Sequence, residues 1–164
     1  MTDPGRKAMR TRVYFIILIL LGCLVLPAGV LQAAAQETIG VMRNATGNVT
    51  VTRDGKAFPA PAGTKLLAGD ILRTGPDGSL GAILRDNSTL SLGPDSSLVI
   101  ESFLFSPAEG KLGLVARLTK GTMAYLSGLI GKLSPESARF DTPVASIGIR
   151  GTYFAVKAGE PVSR

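Results

Sequence analysis

The stretch Phe140–Val156, FDTPVASIGIRGTYFAV, decides how this chain is read. Two apolar, β-prone runs meet at Gly148-Ile149-Arg150-Gly151-Thr152, so one cation stands among glycines and buried-type side chains. Glycine inside a strand pattern marks a bulge or a close backbone approach. The stretch therefore predicts a bent pair of strands that closes a β-domain, with Arg150 at the bend. A phosphate loop is the competing reading, but it needs a helix after the glycines. Here a second β-prone run follows. A partly buried Arg150 needs an anionic or carbonyl partner. Asp70 and Asp86, each beside an apolar strand, are the candidates.

The residues upstream repeat the β pattern. Val49 and Val51 alternate with Thr50 and Thr52, a period of two. Asp54-Gly55 is a tight-turn signal. Two prolines in Phe58-Pro59-Ala60-Pro61-Ala62-Gly63 demand a loop or an irregular edge. Gly75-Pro76-Asp77-Gly78-Ser79-Leu80 recurs as Gly93-Pro94-Asp95-Ser96-Ser97-Leu98, and Asp86-Asn87 makes a further turn between them. Shared turn chemistry and a solenoid repeat both account for that echo. Leu112, Leu114, Ala116 and Leu118 form one face of a half-buried strand, after which Lys120-Gly121 turns the chain into Thr122–Leu126. Ser127–Ser137 has room for one helical turn. No stretch shows a long 3.6-residue period. The expected fold is all-β: a single domain of short antiparallel strands, sandwich or solenoid-like. Residues 36–46 read as a polar lead-in, 47–157 as the domain and 158–164 as a tail.

Several chemistries are excluded by composition. The chain has no His and one Cys, Cys23, which removes Cys/His zinc sites and His-dependent nucleophile systems. The formal charge is +6 from 18 basic and 12 acidic residues. Residues 1–35 hold four of the former and one of the latter, leaving 14 and 11. Those charges are scattered and there is no Trp, unlike the clustered basic face of a nucleic-acid binder. Asp70, Asp77, Asp86, Asp95 and Asp141 stand far apart beside turn residues, as turn-forming Asp does, whereas calcium loops alternate their ligands closely. Tyr125, Phe140, Tyr153 and Phe154 read as core or edge packing. No catalytic residue, cofactor site or metal site is expected.

The N-terminus is an export signal by pattern. Arg6, Lys7, Arg10 and Arg12 precede VYFIILILLGCLVL at 13–26, and Ala33-Ala34-Ala35 follows. Cleavage after Ala35 is expected. The uncharged run is shorter than the 20 or so residues that span a bilayer, although extension through Ala35 leaves an uncleaved anchor open. Leu20-Leu21-Gly22-Cys23 resembles a lipobox, which makes Cys23 a candidate for lipidation; its alternative is an ordinary apolar residue of the signal. All three readings place residues 36 onward outside the cytoplasm, in the periplasm or beyond the cell.

Three motifs then carry a family resemblance: Gly69-Asp70-Ile71-Leu72-Arg73-Thr74-Gly75, Asp86-Asn87-Ser88-Thr89-Leu90-Ser91-Leu92, and Thr142-Pro143-Val144-Ala145-Ser146-Ile147-Gly148-Ile149-Arg150-Gly151-Thr152. Over roughly residues 45–157 the chain resembles the FecR domain, the extracytoplasmic module of iron-dicitrate sensor proteins. The resemblance implies an all-β module that binds an envelope protein and has no enzymatic activity. It marks Gly69, Asp70, Asp86, Gly148, Arg150, Gly151 and Thr152 as motif positions. In the sensor proteins the domain relays a transporter signal to a cytoplasmic anti-sigma segment. Only 12 residues precede the apolar run here, so the expectation is a freestanding exported member with its last strands short or missing. The alternative is a structural envelope component that assembles through sheet edges. Membrane contact is expected only through residues 13–35, if uncleaved or acylated.

Overall fold

A computed structural model describes residues 36–149 and 153–159. Of these residues 61% lie in strands and 9% in helices, and the strands form a curled, mostly antiparallel sheet. In chain order the strands are β1 (Thr38–Thr46), β2 (Val49–Arg53), β3 (Lys56–Pro59), β4 (Lys65–Leu67), β5 (Ile71–Thr74) and β6 (Ser79–Leu84). They continue as β7 (Thr89–Leu92), β8 (Ser97–Ser106), β9 (Lys111–Leu126), β10 (Ala138–Asp141), β11 (Ser146–Gly148) and β12 (Tyr153–Ala158). The helical residues are one short α-helix, α1 (Leu129–Leu133), and the 3-10 turns Pro107–Glu109 and Pro135–Ser137; α1 follows β9, within the segment expected to hold a helical turn.

The long strand β9 belongs to both arms of the curl. Its first part pairs with β8 and, in parallel, with β10. Its last six residues, Gly121–Leu126, pair with β12, and Leu126–Met123 pair with β7 on the other side. One arm therefore runs β4-β1-β6-β7-β9-β12, and the other β3-β2-β5-β8-β9-β10-β11. Lys120-Gly121 is a bend inside one 16-residue strand, not the turn between two strands that the sequence suggested. Gly121 has φ +91°, and a Cβ there would collide with Ser96. Only glycine admits that conformation and that approach together.

The bend at Gly121 is one of several places where the chain passes between arms, and three others meet beside it. These are Gly47-Asn48, Gly75–Gly78 and Gly93–Ser96. They are joined by hydrogen bonds: Gly75 N–H donates to Asn48 O at 2.8 Å, Asp95 N–H to Gly75 O at 3.0 Å and Gly93 N–H to Thr122 O at 3.0 Å. The two Pro-Asp turns of the sequence echo are two of these corners. They carry the chain in opposite directions between the arms, so turn chemistry explains the echo and no coil repeats.

Between the arms lies the core, which includes Val51, Leu66, Leu72, Leu98, Leu114, Leu118 and Met123, each no more than 2% exposed. Tyr125, Phe140 and Phe154 close the β10–β12 end, with ring centroids 4.7–5.7 Å apart. Two boundaries differ from expectation. Residues 38–46 are not a polar lead-in but β1, which lies between β6 and β4 and buries Ile39 and Met42. A register shift between Met42 and Asn44 breaks its two-residue period, which disguised it. Ala158, assigned to a tail, is the buried last residue of β12.

Candidate functional site

The motif residues Asp70, Thr74, Asp86 and Thr142 sit where strands must be fastened, and each has an identifiable hydrogen-bond partner. Asp70, at the entry to β5, has no exposed side-chain surface. Arg53, the last residue of β2, grips its carboxylate with Nε at 2.8 Å and Nη2 at 2.7 Å. Leu67 N–H adds a third bond at 2.8 Å. Paired bonds of this kind match the fork of a guanidinium to a carboxylate. The bond to Asp70 is the main reason that the Arg53 pKa is raised further above its ordinary value. The guanidinium also lies 5.6 Å from the centre of the Phe58 ring, within cation–π range. Gly69, at φ +88°, sends its N–H to Ile100 O at 2.7 Å and so ties the turn to β8. Thr74 closes the same motif: its hydroxyl donates to Gly93 O at 2.7 Å and accepts from Ser96 N–H at 2.9 Å.

Asp86 is also fully buried. Its Oδ1 accepts Ser88 N–H at 3.0 Å and Ser88 Oγ–H at 2.6 Å, while Oδ2 accepts Ile130 N–H at 3.3 Å. Its backbone carbonyl accepts Leu129 N–H at 2.7 Å. The β6–β7 turn thereby holds the start of α1. Tyr125 lies beneath, and burial pushes its phenol up to about 12. Its hydroxyl makes no well-formed hydrogen bond among the described residues, although Ser88 and the Gly128 backbone lie close enough to hold that rise back.

In the third motif Thr142 organises the β10–β11 turn. Its backbone N–H and hydroxyl both donate to Ala145 O, and its hydroxyl accepts Ala145 N–H at 3.0 Å. Ser146 donates to Asp141 across that hairpin. Gly148 ends β11 opposite Arg139, and a Cβ there would meet nothing within 4 Å. Of the bulge or close backbone approach that glycine signals in this stretch, no close approach is seen at Gly148 among the described residues. Arg150, Gly151 and Thr152 lie outside the described residues, as does Cys23. The proposed Arg150 pair therefore falls outside them too, although Asp70 already has Arg53 as a partner. Sequence reasoning missed Arg53. The signal was its parity: it follows the inward-facing Val49 and Val51 at the same two-residue spacing.

Leu104 on β8 and Val144 in the β10–β11 turn are exposed singly, and four other large exposed apolar side chains stand at the end of β9, at the start of β12 and on α1. Leu126 ends β9 at 43% exposure and is paired with Tyr153, the first residue of β12, at 66%. Leu129 and Leu133 stand four residues apart on α1, hence on one helix face, at 38% and 61%. Among the described residues no three carboxylate, Cys or His side chains are placed to hold a metal ion, and no helix is long and apolar enough to cross a membrane.

A family model described as FecR protein matches residues 70–164, more than half of the chain. The chain belongs to the FecR family. No curated protein and no solved structure matches it. The match begins at Asp70, so β1–β4 lie outside it, although β1 and β2 are interior strands of the same curled sheet. The FecR assignment makes this an envelope signalling-related domain of an extracytoplasmic family. Its motifs are hydrogen-bonded fasteners that shape a surface; they assemble no reacting groups among the described residues.

Proposed function

We propose that this FecR-family chain is an exported, non-enzymatic binding module of the bacterial cell envelope that docks a protein partner. The supporting observation is the exposed apolar set Leu126, Leu129, Leu133 and Tyr153. It sits next to the place where Asp86 fixes the start of α1. Apolar side chains clustered on a surface and rimmed by polar groups favour a protein partner over water. Rigid support from a buried carboxylate lowers the ordering cost of docking. Residues 1–35 supply export, with cleavage after Ala35, and residues 36 onward work in the periplasm or outside the cell.

The test is a cross-linking pull-down from intact envelopes with the full chain tagged at its C-terminus. It is repeated with a Leu129→Asp, Leu133→Asp variant, whose substitutions are exposed and leave the core intact. A single envelope protein, such as a transporter or sigma-regulator component, should be recovered with the parent chain and lost with the variant. Equal recovery with both would remove this surface from the account. The mature mass, read from the same extract, separates cleavage after Ala35 from acylation at Cys23.

A further inference from the structure

Each arm of the sheet has open edges, and they differ in protection. β3 carries Lys56 and Pro59. β4 and β11 are three residues each. Short strands, lysine and proline are the devices that keep an edge from pairing with another chain. β12 is six residues, Tyr-Phe-Ala-Val-Lys-Ala, with no proline and one cation. Among the described residues it pairs with β9 alone. Its inward-facing Phe154 and Val156 pack against the core yet stay partly exposed, and no described strand covers their far side. Its outward-facing Ala155 and Lys157 line a shallow trough of about 470 Å³, whose floor continues through Ala124 and Ser91.

We infer that β12 pairs antiparallel with β12 of a second copy of this chain, about a two-fold axis at Ala155. Directly opposed residues in such a pair share one face, so their numbers must add to an even total, and an axis at Ala155 satisfies this. Tyr153 of one copy then faces Lys157 of the other, twice, and Phe154 faces Val156, twice. The first pairing sets a cation beside an aromatic ring, and the second joins an aromatic to a β-branched residue; both are favourable cross-strand partners. No like charges are opposed. Ala155 meets Ala155, so the two trough floors meet without a bulky side chain between them. The half-exposed apolar residues of both copies become covered. A symmetric pair closes, so it gives a dimer and leaves no open array. The surface used is the strand edge, which shares Tyr153 with the exposed apolar set but leaves Leu129 and Leu133 on α1 free.

The test is disulfide formation in the full chain, expressed in cells and oxidised in intact envelopes; the parent chain with Cys23 alone sets the baseline. Ala155→Cys should link to itself and move most of the chain to twice its mass. Tyr153→Cys and Lys157→Cys should each stay at baseline alone, and link when the two single variants are co-expressed. All three positions are exposed, so the fold tolerates them. Baseline behaviour of Ala155→Cys, self-linking of Lys157→Cys, or equal linking at every position would overturn the proposal.

Discussion

The Arg53–Asp70 pair gives an asymmetric prediction. Asp70 has no exposed side-chain surface, whereas Arg53 retains 28%. Replacing Arg53 with Ala leaves a buried carboxylate with only the Leu67 N–H bond. Breaking a buried pair in this way costs about 3–5 kcal/mol. Replacing Asp70 with Asn leaves the cation stranded instead, and Arg53 can turn toward water; the cost is then nearer the 1–3 kcal/mol of lost charged hydrogen bonds. Arg53→Lys keeps the charge but loses the fork, and should fall between the parent and Arg53→Ala. The assay is urea unfolding of Gln36–Arg164, a compact unit of the chain. Midpoints should shift at unchanged slope. Heating should give a fall in Tm on the order of 10–20 °C for Arg53→Ala. An Asp70→Asn cost equal to or above that of Arg53→Ala would refute the claim that the carboxylate is the member needing protection.

Three further outcomes follow from the same geometry. Asp86→Ala should cost about 2–4 kcal/mol by orphaning buried donors, and should raise amide exchange at Ile130 more than at Leu118; uniform acceleration would count against a local fastener. Tyr125 holds its proton to about 12, against 10.0 ordinarily. The folded state is therefore the better proton binder between those values, and stability should decline from about pH 10 by about 2–3 kcal/mol in all. Tyr125→Phe should abolish that decline at little cost near pH 7, which unfolding measured at stepped pH would check. Phe140→Ala should cost about 3–5 kcal/mol by opening a cavity beside Tyr125 and Phe154, measured by the shift in urea midpoint.

The legibility of this chain followed the strength of local signals. Asp54-Gly55 announced the β2–β3 turn, and both residues have positive φ (50° and 76°). Asp86-Asn87 announced the β6–β7 turn, with Asn87 at φ 63°. The prolines announced an irregular edge, and β3 ends at Pro59. These are constraints of one to four residues, which sequence displays directly. β1 was missed because a register shift breaks its alternation, and β9 was divided because glycine signals a turn and a bend alike. The Asp70 partner was missed because Arg53 lies 17 residues away across a turn and a loop. The family motifs were legible as landmarks; that they act as fasteners became visible only once their partners, Gly93, Ser96 and Ile130, were placed. The exposed apolar set had no sequence signal, since Leu129 and Leu133 look like any buried leucines until α1 is turned outward.

The most direct test of docking at that apolar set is site-specific photo-cross-linking in intact envelopes. A photoreactive residue is placed at Leu133 in one chain and at Arg73, exposed on β5, in another. The account predicts a discrete adduct with one envelope protein from position 133 and none from position 73. An adduct from position 73 alone, or none from either, would contradict it.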